Sequence, residues 1–256
     1  MSAYLRSLGY SRKILTELKN TDGTVFLNST PSPLKTILQE GDLLCVALPL
    51  ESPNEKIVPS PIPLEILYED EDLIVINKNA GIPVHPSQGN FDNTVANGLA
   101  RIFSERKEPF VFRAVNRLDR DTTGLLLIAK NRVSSAILSA MASDRRIRRD
   151  YLAIASGKTG ESGTVRLPIA RKSESVIVRC VSLSQGEDAC THYRRLAYCA
   201  ELDCSLICLR LETGRTHQIR VHMKAIGHPL PGDFLYNPDY RFIHRQALHS
   251  WRMTVE

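Results

Sequence analysis

Four strand-like runs follow one another at residues 151–156, 164–170, 175–181 and 190–197, parted only by short turns. Connections this short cannot carry a crossover back across a sheet, so neighbouring strands must run antiparallel. Further runs of the same kind lie at 73–78, 124–130 and 205–211. Helical spacing is confined to a few places. Val95, Leu99 and Ile102 share a stripe over 94–103, and Val133, Ala136, Ile137 and Ala140 share one over 132–141. A third helix is predicted over 216–226, closed by Gly227 and Pro229. The class is therefore α+β, a large and mostly antiparallel mixed sheet flanked by helices.

Pro53, Pro59, Pro61 and Pro63 punctuate a stretch that can be neither helix nor central strand. It divides the chain into a small N-terminal domain (1–55), a linker (56–63) and a large domain (64–256). In the first, Ile14, Leu15 and Leu18 form one helical stripe in "SRKILTELKN", and "TVFLN" and "GDLLCVALPL" read as strands. The small domain is thus an α/β-hairpin unit.

Net charge is +5, from 33 Lys and Arg against 28 Asp and Glu. Residues 1–60 contribute none of it, since six basic residues there balance six acidic ones. The excess gathers in "SDRRIRRDY" (143–151), "YRRL" (193–196) and "GRTHQIRVHMK" (214–224). Such clusters suit either a polyanionic partner or a solvated face. No apolar run approaches the ~18 residues of a membrane span and the N-terminus lacks a secretory pattern, so a soluble cytoplasmic protein without a membrane partner is expected. The six cysteines include no C-x-x-C pair, which points to buried free thiols. Cys190 with His192, or Cys204 with Cys208, could share a metal, but the paired spacing typical of zinc sites is missing, and no metal site is expected.

The stretch "RAVNRLDRDTTGLLLIAKN" (113–131) sets Arg117, Asp119, Arg120 and Asp121 beside a run that reads as a buried strand. If the segment is extended, Arg117, Asp119 and Asp121 share one side, and Leu118 and Arg120 the other. A carboxylate against apolar walls is driven toward its neutral form, and a neighbouring guanidinium opposes this. A turn stapled by Arg–Asp pairs accounts for the stretch equally well. In "TGRTHQIRVHMKAIGHPLPGD" (213–233), the predicted helix sets Arg220 and Lys224 on one face with Thr216, and Ile219, Met223 and Ile226 toward the core. Its first amides, with Arg215 and His217, could hold a phosphate. Alternatively Arg220 points inward as the partner of an ionised Asp119, and spacing does not choose between the two. G-x-S-x-G, G-x-x-x-x-G-K-[ST], G-x-G-x-x-G and H-E-x-x-H are all absent, which removes weight from hydrolase, ATP, dinucleotide and zinc-protease chemistry.

"NRLDRDTTGLLLIAKN", "RRDYLAIASG", "TGRTHQIRVHMKAIGHPLPGD" and "HRQALHSWRM", in this order, resemble the RluA-type pseudouridine synthases, as does the upstream "LIVINKNAGIPVHPSQGN". The resemblance spans roughly residues 64–254. It implies the pseudouridine synthase fold, an RNA substrate (rRNA or tRNA, not DNA) and no cofactor or metal. The activity implied is isomerisation of uridine by cutting the glycosidic bond, turning the base and rejoining it through a ring carbon. It also implies a flipped nucleotide, because the target atoms lie inside a stack. By motif, Asp119 would be the catalytic aspartate, and Tyr151 would stack on uracil and be a candidate for taking the ring proton. Arg220 would pair with Asp119, and Arg117 would fill the space the base leaves. Asn116, Leu118, Arg120, Arg215, His217 and Gln218 complete the expected substrate-binding set. The pocket is expected to be kept free of water around one ionised carboxylate.

The chain departs from the family pattern in three places. Asn116 stands where histidine is usual, Asn79 where proline is usual, and the chain stops at "WRMTVE", earlier than most members, as a clipped or shortened C-terminus would. The first 50 or so residues faintly resemble a small RNA-binding domain carried by many relatives. A non-catalytic RNA-binding protein is the rival reading. A glycoside hydrolase using Asp119 and Asp121 fits poorly, since such carboxylates must face one sugar across several ångströms. A monomer is expected.

Overall fold

The computed structural model describes residues 1–49, 51–173 and 175–256. Near the N-terminus α1 (Ser2–Ser7) and α2 (Arg12–Asn20) lie against a small sheet of β1 (Val25–Leu27), β2 (Thr30–Pro31) and β3 (Leu44–Val46). Ser11 caps α2 by accepting the Ile14 amide, and Ile14, Leu15 and Leu18 face inward onto Leu5, Val25 and Leu34. Leu50, the end of the predicted "GDLLCVALPL" strand, lies outside the described residues.

The remaining strands are β4 (Glu65–Glu69), β5 (Leu73–Lys78), β6 (Thr123–Ala129), β7 (Ile147–Ser156), β8 (Ser162–Arg166), β9 (Ile169–Arg171), β10 (Arg179–Val181), β11 (Cys190–Cys199), β12 (Cys204–Leu211) and β13 (Leu248–Val255). Helices α3 (Val95–Arg106), α4 (Arg132–Ser143) and α5 (Gln218–Ala225) intervene. Eight strands form one sheet in the order β4-β5-β6-β13-β7-β12-β11-β8. Every pairing in it is antiparallel except β13 with β6. The mostly antiparallel mixed sheet read from the sequence is therefore the fold. Where β6 meets β13, Gly124 has φ +106°, and a Cβ there would lie 2.1 Å from the Ser250 carbonyl oxygen, so this crossing requires glycine.

Two sequence expectations need correction. The run 164–170 is two strands, because Leu167–Pro168 interrupts it: proline offers no amide to a ladder, and its carbonyl accepts the Ser182 amide instead. Of 175–181 only Arg179–Val181 is strand, paired with β9 in a separate two-stranded ribbon.

Alternation along β6 divides the interior. Leu126 and Ile128 join Ile74, Ile76, Val95, Leu99, Phe103, Ile219 and Met223 on one face. Leu127 and Ala129 pack with Leu138 and Met141 of α4 on the other. The outer side of α4 is in turn covered, through Val133 and Ala136, by the N-terminal cluster. Arg132 ties the two together, pairing with Glu17 and donating to the Pro49 carbonyl at 3.1 Å. The proline-rich stretch is strapped along α3: Asn97 donates to the Val58 carbonyl at 2.8 Å, and the Ser60 amide donates to the Asn97 carbonyl at 3.1 Å. Among the described residues no helix is long and apolar enough to cross a membrane.

Candidate active site

Asp119 sits just before β6, and the backbone there turns rather than running extended. The chain from Arg113 lies back against β6 through Val115 N to Leu127 O (2.8 Å) and Ala129 N to Arg113 O (2.9 Å), then closes a turn at Asp119 O and Thr122 N (3.1 Å). The one-sided array of Arg117, Asp119 and Asp121 therefore does not form. Asp121 instead accepts the Gly81 amide and pairs with Arg120, and Asp119 faces Arg220. Leu118 is buried in the core, and Arg117 is exposed at the edge of the cleft. Arg120 is exposed, with its guanidinium 5.8 Å from the Phe234 ring centre.

Beneath this turn lies Lys78. Alternation from Ile74 and Ile76 points it inward, where it is 1% exposed and its Nζ donates to the carbonyls of Asn79, Ile82 and Arg120, each at 2.8 Å. Burial pulls its pKa down to about 8, against the pull of Asp121 and Asp119. The ammonium thus locks the backbone that presents Asp119.

Arg220 comes from α5. Its NH1 donates to Asp119 Oδ2 at 2.8 Å, while Nε and NH2 donate to the two oxygens of Asp233 at 2.7 and 2.8 Å. Burial works against its charge, but Asp233 and Asp119 outweigh it and hold the guanidinium above its usual pKa. Of the two placements open from sequence, the inward one holds: Arg220 is as buried as Ile219 and Met223. The cost of desolvation falls on Arg220 (2% exposed) and Asp233 (0%), whereas the Asp119 side chain is 26% exposed. The expected water-free setting of Asp119 is thus corrected: the supporting ions are dry, and Asp119 itself lies at the water boundary.

Tyr151, on β7, is 4% exposed. Burial raises the pKa of its phenol; Arg149 opposes this, and Asp119 adds to it. His217, the residue before α5, adopts φ +57°, with Nδ1 2.9 Å from the Tyr236 hydroxyl and Nε2 4.0 Å from Asp119 Oδ2. Burial lowers its pKa despite Asp119, which favours the neutral ring. Asp119, Tyr151, Arg220, Arg117, His217 and Arg215 line one cleft of about 250 Å³. A nucleic-acid duplex cannot enter such a space, but a single nucleotide can.

Asn116 and Gln218, both expected to bind substrate, line the same cleft and also make internal hydrogen bonds. Asn116 is buried, accepting the Leu127 amide (2.8 Å) and donating to the Leu125 carbonyl (3.2 Å), so its amide fastens the turn to β6. Gln218 accepts from Thr213 Oγ1 and the Arg215 amide and donates to the Cys190 carbonyl and Thr191 Oγ1, which fixes the 213–215 loop. Arg215 pairs with Glu187 and lines the cleft. Lys78, Asp233 and Tyr236 were missing from the sequence-based set. The signal for Lys78 was its register with Ile74 and Ile76.

Cys190, His192 and Glu212 do converge, with His192 Nε2 2.7 Å from Glu212 Oε1 and Cys190 Sγ 3.3 Å from it. Arg145 and Arg166 also bond Glu212, at 3.0 and 3.1 Å, and these two guanidiniums oppose a divalent cation there. Cys204 and Cys208 lie four residues apart on β12, roughly 13 Å at strand rise, too far to share an ion. The six thiols are free, but the expectation that they are buried is corrected: only Cys190 is, while Cys45 and Cys199 are exposed, their strands being short or open to solvent on one side.

A family model for RNA pseudouridylate synthase matches residues 72–225, and the chain belongs to this family, whose members isomerise uridine in RNA to pseudouridine. It is 42% identical over 252 residues to "Uncharacterized RNA pseudouridine synthase YjbO" of Bacillus subtilis, covering 98% of this chain and 88% of that one. It is 43% identical over 225 residues to "Ribosomal large subunit pseudouridine synthase D" of Zymomonas mobilis, covering 82% and 69%. Among solved structures, "Human RNA Pseudouridylate Synthase Domain Containing 1" superposes with a TM-score of 0.63 at 29% identity, covering 76% of this chain and 79% of that one.

Proposed function

We propose that Asp119 acts at the anomeric carbon of a uridine flipped out of ribosomal RNA. The observation that carries this reading is the Asp119–Arg220 pair opening on a nucleotide-sized cleft beside Tyr151. As the N1–C1′ bond breaks, positive charge grows on the sugar, and a carboxylate stabilises it by attack or through its field. Among the described residues no hydrogen bond is made to the second oxygen, Oδ1, which leaves it for that role. Once the base has turned and C5 has joined C1′, C5 must lose a proton and N1 must gain one. Tyr151 stacks on the uracil. Its raised pKa keeps the phenol protonated, so it can take the C5 proton only while its own proton goes to N1, the atom that must gain one.

Arg117 and Arg120 stand at the exposed edge to meet the RNA backbone or the gap left by the base. The relatives named for the large ribosomal subunit support rRNA over tRNA as substrate. Residues 1–55 serve as a separate small domain joined through 56–63 to a catalytic domain of 64–256, and the enzyme works as a cytoplasmic monomer on RNA rather than DNA. The intact charge pair favours this reading over one of RNA binding alone.

Incubation with large-subunit rRNA and tRNA transcripts, without added metal, followed by chemical mapping of pseudouridine, tests it. Wild type should form the isomer on rRNA. Asp119→Asn should form none and still bind. Isomer on tRNA alone would reassign the substrate, and binding without isomer on any transcript would overturn the proposal.

A further inference from the structure

Phe234 sits in a turn that its neighbours hold shut. Asp233 Oδ1 accepts the amides of Leu235 at 3.0 Å and Tyr236 at 3.2 Å, and the Asn237 amide donates to the Asp233 carbonyl at 2.8 Å. On this fixed backbone the phenyl ring is 47% exposed, although it has no polar atom to hold it in water. Two guanidiniums flank it. Arg220, which bonds Asp119 and lines the cleft, lies 5.7 Å from the ring centre, and Arg120, the residue after Asp119, lies 5.8 Å from it. The ring therefore stands at the rim of the cleft. Tyr236 also covers Arg220, at 5.0 Å, but is buried, so of the two rings only Phe234 keeps a surface open to a ligand.

The same loop carries Tyr240 and Phe242 exposed beside Arg241 and His244, with the Arg241 guanidinium 5.2 Å from the Phe242 ring. Exposed rings interleaved with cations suit an unpaired RNA strand, whose bases stack on the rings while its phosphates meet the cations. A duplex offers no free base face. A flipped uridine, however, leaves its neighbours partly unstacked. We propose that Phe234 is a stacking platform for a nucleotide adjoining the flipped uridine. The consequence is a choice of target: a uridine whose neighbour can leave the helix is taken over one held between paired bases. Any base can stack on a phenyl ring, so this selection reads RNA structure rather than sequence. The inference rests on the reading of the cleft as the seat of a flipped uridine.

The test uses a large-subunit rRNA fragment carrying a uridine that wild type isomerises, and two copies in which the nucleotide before or after that uridine is abasic. Equilibrium binding and the single-turnover rate at saturating RNA are measured for wild type, Phe234→Leu and Phe234→Tyr. Leucine keeps an apolar cover over Arg220 and removes the aromatic face, whereas tyrosine keeps both. Phe234→Leu should bind the parent fragment about 10-fold more weakly, with a saturated rate within about twofold of wild type. Phe234→Tyr should match wild type in both. One of the abasic fragments should weaken wild-type binding by a similar factor and weaken Phe234→Leu no further, since ring and base act as a pair.

If Phe234 only shields Arg220, leucine serves as well and affinity stays at the wild-type value. Unchanged affinity in Phe234→Leu, a slower saturated rate with affinity intact, or a Phe234→Tyr that binds as weakly as Phe234→Leu overturns the proposal. So does wild-type binding that neither abasic fragment weakens, and this result decides alone should Phe234→Leu not fold. Absence of isomer on every rRNA would instead sink the reading of the cleft, a failure separable from that of Phe234.

Discussion

Two three-charge clusters flank strand β7, and they are mirror images in sign. On the cleft side one guanidinium, Arg220, lies between two carboxylates, Asp119 and Asp233. The other cluster sets one carboxylate, Asp150, between two guanidiniums, with Arg210 Nε at 2.8 Å and Arg252 NH2 at 2.9 Å. In each the central ion is buried, Arg220 at 2% and Asp150 at 3% exposure, but the flanking ions differ. Arg210 and Arg252 are 50% and 53% exposed, whereas Asp233 is wholly buried and Asp119 opens onto a cleft. Where strands are merely fastened, the long arms stay in water. Where a carboxylate faces the cleft, its supports are taken out of water and its own second oxygen is left without a hydrogen bond among the described residues.

The comparison breaks first at Arg220. Replacing it with Met strands the Asp233 carboxylate in a site with no exposure, and loss of one partner from a buried ion pair costs about 3–5 kcal/mol. Urea unfolding of Arg220→Met should show that loss, and isomer formation should vanish with it. A stability within about 1 kcal/mol of wild type would mean that water or a protonated Asp233 replaces the guanidinium cheaply.

Adjacent residues of one strand sharpen the contrast, since neighbours on a strand face opposite sides. Tyr151→Phe keeps the ring and removes the hydroxyl. It should preserve RNA affinity and unfolding midpoint but slow isomer formation by about 10²–10⁴-fold, the range for a lost proton-transfer group. A rate near wild type would reduce Tyr151 to a stacking surface. Its neighbour Asp150 should respond the opposite way, with stability altered and chemistry untouched.

The contrast also explains what could be read from the chain. β5 and β12 were legible because their apolar alternation is regular, Ile74 and Ile76 on one strand and Ile207 and Leu209 on the other. β4 was not, because it follows the prolines as an edge strand whose residues stay largely exposed, and α1 was missed because its one turn and a half buries only Leu5. The central ions of the site were legible through their motifs. Their supports were not: Asp233 follows Leu-Pro-Gly, which reads as a surface turn, and nothing local tells that α5 will bring a guanidinium to it. Asn116 and Gln218 show the converse. An amide in such a motif suggests a ligand contact, and only the fold reveals that each, while lining the cleft, also bonds backbone groups of β6 or of the 213–215 loop.

The smallest effect belongs to Asp150. Burial raises its pKa, but Arg210 and Arg252 outweigh that and hold the carboxylate below its ordinary value. Its stabilising contribution is therefore complete above pH ~4, the unfolded value, and is lost as pH falls through the lower folded value. Because both guanidiniums are half-exposed, the contribution is about 1 kcal/mol rather than the several of a fully buried pair. Asp150→Asn should lower the unfolding free energy at pH 7 by that amount and leave the isomerisation rate unchanged. As pH falls through that lowered folded value the difference between variant and wild type should shrink, since the wild-type carboxyl is then protonated as well. If the gap widened in acid instead, Asp150 would be binding its proton more tightly in the folded state. The two clusters would then differ in how they hold charge and not only in how they expose it.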